Sequence, residues 1–171
     1  MIFLLLLLLW LGFFSASAGA VLLNLNAPPI LSIEDDSGPF TLTFPDFLQG
    51  SQSSPQAVTY RLRANHMSPG LLPAAVSARL GEAFDHADLE ADVQDYRNLG
   101  TPNFATLQEA QNGSRTVETA DTPLADKHPG HGAGDRCLDG QLTVTWRATL
   151  KRDAPAGTQS RSLIVTLRDG N

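Results

Sequence analysis

The chain has 171 residues, with 12 Lys and Arg against 18 Asp and Glu for a formal net charge of -6, and one cysteine. That length suits one domain of ordinary size with its own core. An acidic surface without basic clusters argues against nucleic acid, which is bound chiefly by neutralising phosphates with Lys and Arg, and against electrostatic docking on anionic lipid.

The opening MIFLLLLLLWLGFFSASAGA carries no charged side chain, runs apolar from Ile2 to Phe14, and then turns to small residues with Ala-x-Ala at Ala16–Ala18 and Ala18–Ala20. This is the layout of a secretory signal peptide over residues 1–20, leaving residues 21–171 as the mature domain. The apolar run falls short of the roughly 20 residues a bilayer-crossing helix needs, although AVLLNL beyond it leaves an uncleaved anchor open. With cleavage, no membrane span remains, and the address is secreted, periplasmic or cell-surface. Secretion also changes how Cys137 reads. Alone it makes no internal disulfide, so it is a free thiol, a partner's half-cystine or a metal ligand, and the fold rests on its core.

Taken in chain order, PPILSIE reads as a first strand entered from a proline-rich turn. Phe40, Leu42 and Phe44 alternate with Thr41 and Thr43, and Val58, Tyr60, Leu62 and Ala64 alternate with Thr59, Arg61 and Arg63, which predicts two half-buried strands. QGSQSSPQ is polar enough for a linker and is read as a loop. PAAVSARL and RTVET are further, weaker strand candidates. EAFDHADLEADVQDYRNLG mixes Leu89, Ala91 and Val93 at strand spacing with many acids, and is read as a loop followed by a short strand. Asn112-Gly113 offers a tight turn, and Asn112-Gly113-Ser114 fits the glycosylation sequon.

Residues Thr122 to Asp139 read as a flexible, polar connection. The strongest local signal follows it: in QLTVTWRATLK, Leu142, Val144, Trp146, Ala148 and Leu150 alternate with Thr143, Thr145, Arg147, Thr149 and Lys151. Strict period two predicts a strand with one buried and one wet face. Pro155 and Gly157 mark a turn, and SLIVTL places Leu163, Val165 and Leu167 on one face, so the pair reads as a closing antiparallel hairpin. Six to eight strands separated by Gly, Pro, Ser and Asn predict an all-β fold, a single immunoglobulin-like antiparallel β-sandwich.

The order of leader, FTLTF, VTYRLRAN, a variable middle and LTVTWRATLKRDAPAGTQSRSLIVTLRDG resembles bacterial secreted immunoglobulin-like proteins of the spore-coat-U and archaic pilin type. APAGT ahead of SLIVTL resembles the turn that precedes their last strand. The resemblance implies a noncatalytic structural or surface role. The chain departs from the pattern in having one cysteine where such proteins commonly carry a disulfide, and Gln159 where the turn holds an aromatic. If subunits of that kind complete one another by strand donation, the donor here is VLLNLN, with Val21, Leu23 and Leu25 on one face. The same residues also read as the tail of the leader or as a first edge strand.

Chemistry-bearing residues are few. DKHPGHGAGDRC gathers His128, His131 and Cys137, and imidazole and thiolate are the ligands that zinc and copper prefer. His66 and Met67, after the VTYRLRAN strand, add a nitrogen and a thioether that suit copper. Against a site, a Gly and Pro loop does not preorganise its ligands. Asp85-His86-Ala87-Asp88 reads as an acidic surface turn, and Tyr60, Trp146 and Phe44 as core. The sequence has no nucleophile-elbow Gly-x-Ser-x-Gly, no phosphate-cradling glycine motif, no His-Glu-x-x-His and no calcium loop. Cys137 has no visible base to activate it. The expectation is a secreted, noncatalytic structural or envelope protein that contacts other surface proteins or itself, without a cofactor. The alternative is an extracytoplasmic copper- or zinc-binding protein using His128, His131, Cys137 and His66.

Overall fold

The computed structural model describes residues 28–35 and 37–170. The expected signal peptide over residues 1–20, and Val21, Leu23 and Leu25 after it, lie outside the described residues. Among the described residues there are nine strands: β1 (Leu31–Asp35), β2 (Gln56–Ala64), β3 (Leu72–Leu80), β4 (Ala87–Asn98), β5 (Thr106–Glu109), β6 (Arg115–Val117), β7 (Thr122–His128), β8 (Leu138–Leu150) and β9 (Leu163–Leu167). A short 3-10 helix, Gly132–Arg136, precedes β8. Five strands form one antiparallel sheet in the order β1-β2-β8-β4-β6, and four form the other in the order β5-β7-β3-β9. The two sheets share one core, so the all-β sandwich expected from the alternation is the observed architecture.

The spine is β8, whose 13 residues alternate buried and half-buried positions without a break. Its Val, Thr and Trp content suits a pleated surface, and period two turns Leu142, Val144, Trp146 and Ala148 into the core. Val144 lies opposite Val58 on β2 and Val93 on β4. On the outward face, Thr143 and Thr59 share a hydrogen bond between their Oγ1 atoms at 3.1 Å.

The last strand does not return beside β8. Both edges of β8 already have partners, so β9 crosses to the other sheet and pairs with β3, Val165 opposite Ala78. The expected closing hairpin is thus a crossover, with residues 151–162 carrying the chain between sheets.

Phe40, Leu42 and Phe44 keep the burial alternation of a strand, half-buried against exposed Thr41 and Thr43, but join no ladder. Pro39 and Pro45 bracket the stretch and lack the N–H that a ladder needs. Phe40 instead stacks on Trp146, with ring centroids 6.3 Å apart. The segment is an extended strap over the core, tied by the Ser54 N–H to the Thr43 carbonyl at 3.1 Å.

The acidic stretch expected to hold only a short strand is the 12-residue β4, central between β8 and β6. Leu89 and Ala91 are buried, while Asp88 and Glu90 reach Lys151 and Thr149 on the outer side. A bulge between Val93 and Asp95 shifts the phase of the second half, which is why alternation read along the sequence loses the strand there. In β5, Leu107 alone is buried, leaving no pattern for a sequence reading to find.

Candidate functional site

The stretch from Asp126 to Cys137 is ordered structure where a flexible connection was expected. β7 runs to His128, the 3-10 helix spans Gly132–Arg136, and β8 begins at Leu138. His128 lies opposite Thr106 on β5. His131 is exposed, and its N–H donates to the Asn103 carbonyl at 2.8 Å. Cys137 is half-buried and free, its carbonyl accepting the Ala105 N–H at 2.9 Å. The Met67 N–H donates to the Arg136 carbonyl at 3.0 Å, which brings the end of β2 beside Cys137. Met67 is fully buried, and the half-buried His66 has its Nε2 3.5 Å from the Asp169 carboxylate. Among the described residues, no group of three or more His, Cys, Asp or Glu side chains is gathered where it could hold a metal ion.

What organises this end of the sandwich is Lys127, which sequence reasoning passed over. It falls on the inward register of β7 and is fully buried. Its ammonium donates to the Ser68 carbonyl at 2.8 Å, the Gly70 carbonyl at 2.8 Å and Asp135 Oδ1 at 2.9 Å. All three ammonium hydrogens are therefore used. Asp135 completes the knot, accepting the Gly70 N–H at 2.6 Å and the Gly130 N–H at 2.9 Å. One residue before Lys127, Asp126 accepts the N–H of Ala74 at 2.6 Å, where Ala74 takes the left-handed conformation, φ 52°, at the irregularity between Leu72 and Val76. A cation whose three hydrogens are all donated and closed to solvent has no N–H left for a ligand. It is a structural lock between two loops. The one sequence signal for it was a lysine at an inward strand position, with an aspartate beyond the next turn.

The glycines serve close approach here more than flexibility. A Cβ on Gly130 would lie 2.3 Å from the Asn103 carbonyl oxygen and 2.7 Å from the Ala105 nitrogen, and one on Gly134 would lie 2.5 Å from the same oxygen. Only a residue without Cβ lets the 130–134 backbone pack on residues 103–105.

Burial alone would raise the pKa of Asp135, but the Gly70 N–H, the Lys127 ammonium and the Gly130 N–H outweigh it and hold the carboxyl below its ordinary value. A depressed folded-state pKa contributes stability that is present above the unfolded value, about 3.9 for aspartate, and lost as pH falls through the folded value. Stability should therefore fall on acidification below about pH 4, and Asp135→Asn should flatten that part of the curve. Chemical denaturation at a series of pH values measures both slopes, and equal slopes would exclude Asp135 as a contributor.

Among the described residues, the remaining polar groups do not assemble into a catalytic set. Asp85 accepts a hydrogen bond from Gln159 Nε2 at 2.9 Å and Asp88 one from Lys151 Nζ at 2.8 Å, so both carboxylates of the acidic turn are engaged away from the His86 imidazole. Burial pushes the phenols of Tyr60 and Tyr96 up to about 12, and neither supplies a base at neutral pH. The Trp146 indole lies beside the Tyr60 hydroxyl without donating to it in hydrogen-bond geometry. Tyr60 and Trp146 are core, as expected, with Phe44 half-buried. Among the described residues no helix is long and apolar enough to cross a membrane.

Among the described residues, β9 has a ladder partner, β3, on one side only. The Gly81 N–H donates to the Ser162 carbonyl and the Arg168 N–H to the Ala75 carbonyl. In an antiparallel ladder this phase turns the backbone groups of Ile164 and Thr166 toward β3, and those of Leu163, Val165 and Leu167 toward the open edge. The other three edge strands are blunted: β5 has 4 residues and β6 has 3, and β1 carries Glu34 and Asp35. By contrast β9, LIVTL, has no charge and no proline. Comparison of the chain with protein-family models, with curated proteins and with solved structures finds no match.

Proposed function

We propose that the protein is a secreted, noncatalytic structural component of an envelope or surface, pilin-like or coat-like, and that copies of it join through β9. The observation that carries this reading is the edge of β9, which among the described residues has no strand paired to it. Natural β proteins blunt exposed edges with charge, proline or brevity, because a row of free N–H and C=O groups is a template for another strand. An uncharged edge, with Leu163 and Val165 packed on the core from one side, suits strand addition, in which main-chain bonds give affinity and alternate side chains fill pockets. Val21, Leu23 and Leu25 of a neighbouring copy have the alternation such an edge accepts. The layout of residues 1–20 supports the extracytoplasmic address.

The mass of the protein in solution should rise with concentration. Val165→Pro removes an N–H that faces outward and spares the bonds to β3, so this variant should stay monomeric while keeping a cooperative thermal melt, lowered by the packing that Val165 loses. A parent protein that is monomeric at every concentration tested would overturn the reading.

A further inference from the structure

Of the asparagines in the sequence, Asn112 alone precedes a glycine. The pair sits in the turn between β5 and β6, where residues 111–114 are all exposed. Gly113 takes the left-handed conformation, φ 84°, and a Cβ built on it would meet nothing within 4 Å. Among the described residues, the Gly113 N–H and the Asn112 side chain make no hydrogen bond. A nucleophilic peptide nitrogen and the side-chain carbonyl that it can close upon are therefore both unheld and open to water, and glycine puts no side chain in the path between them.

We propose that Asn112 is a site of spontaneous deamidation, at which the turn converts with water alone to isoaspartate and aspartate. Base removes the Gly113 N–H proton, the nitrogen forms a bond to Asn112 Cγ, and the Cγ–Nδ2 bond breaks with release of ammonia. Water then opens the resulting succinimide at one of its two carbonyls. Opening at Cγ gives aspartate. Opening at the former main-chain carbonyl gives isoaspartate, whose backbone carries an extra methylene. The fold, more than the dipeptide, selects the site. Asp139-Gly140 could close the same ring, but it lies within β8, with Gly140 opposite both Leu62 and Asn98 and Asp139 paired to Arg61. A peptide held in ladders on both sides is not free to turn its nitrogen back on the preceding side chain.

The conversion falls inside a grip made by Arg115, whose side chain is only 8% exposed. Its Nη2 donates to the carbonyls of Gln111 and Gly113, the latter at 3.4 Å, and to Glu109 Oε1 at 2.8 Å, while Nη1 donates to the Pro123 carbonyl at 2.8 Å. One guanidinium thus holds the main chain on both sides of Asn112 and ties the turn to β7. It holds carbonyls and leaves the two reacting groups alone. A methylene inserted between those carbonyls changes the span that Arg115 bridges, and conversion adds one negative charge to a formal net of -6. Deamidation should therefore loosen the turn irreversibly.

Incubation of the folded protein at mildly alkaline pH, followed by peptide mapping, tests this. Asn98 and Asn103 share the tryptic peptide 98–115 and are followed by Leu99 and Phe104, so they serve as internal controls. Asn112 should exchange its amide for a carboxyl well ahead of both, about tenfold faster for each pH unit because hydroxide removes the proton. An isoaspartate methyltransferase should label the aged parent at this peptide and not an aged Asn112→Gln variant, whose longer side chain cannot form the same ring. The rate should lie within about tenfold of that in the isolated 98–115 peptide, a barrier difference of about 1.4 kcal/mol. Amide hydrogen exchange over residues 109–117 should be faster in the converted form, separated by anion exchange. A slower rate than that tenfold limit, or equal conversion at Asn98 and Asn103, overturns the proposal. Unchanged exchange in the converted form overturns the loosening of the Arg115 grip.

Discussion

Replacing Lys127 with methionine should lower stability by about 3–5 kcal/mol, the cost of removing one partner from a buried ion pair. Methionine keeps most of the length and volume of the side chain, so little of the loss comes from packing. What it removes is the donor to the Ser68 and Gly70 carbonyls and the counter-charge of Asp135. Urea denaturation reads the effect as a lower midpoint at constant slope. Adding Asp135→Asn to the same chain should recover part of the loss, because it removes the uncompensated charge. A loss below about 1 kcal/mol is the size of an exposed ion pair, and would mean that the ammonium does not hold the two loops together.

Trp146→Ala should cost a similar amount, about 3–5 kcal/mol, through lost transfer energy and the cavity left behind. Trp146 is fully buried at the centre of the longest strand, and it is also the surface on which Phe40 rests. The substitution should thus loosen the strap as well as the core. Limited proteolysis should cut faster within residues 38–47 of the variant, under conditions where both proteins remain folded. An unchanged cleavage rate there would mean that the stack does not hold the strap down.

The parts of the fold that were legible in the sequence are those whose pattern is local and unbroken. β8 was evident because the residues from Leu142 to Leu150 alternate without a bulge, although its start at Leu138 fell in the stretch read as a loop, and β2 because four apolar side chains share one face. Pairing was not legible in the same way. SLIVTL follows β8 across a turn, and the local grammar of a hairpin favours β8 as its partner, yet that partner's edges are taken by strands far away in sequence. In FTLTF the alternation survives as burial while the flanking prolines keep it out of a sheet. Composition misled at the His-rich stretch, where glycine reads as freedom but here allows the backbone to approach residues 103–105. Lys127 was hidden because its partners, Ser68, Gly70 and Asp135, come from two separate turns.

The position of β8 also constrains the order in which the sheet can form. The β2–β8 ladder joins residues 56–64 to 138–146, and β4 finds its longer partner on the same strand. Until Leu138–Leu150 is available, β1 with β2 and β4 with β6 are two separate ribbons, and two-stranded ribbons are at best marginal in water. During synthesis, the strands between residues 31 and 117 are made before β8, the strand that joins them. Topologies dominated by distant contacts fold in milliseconds to seconds, and most contacts of this fold are long-range. A protein of this topology has to be kept from its neighbours during that interval.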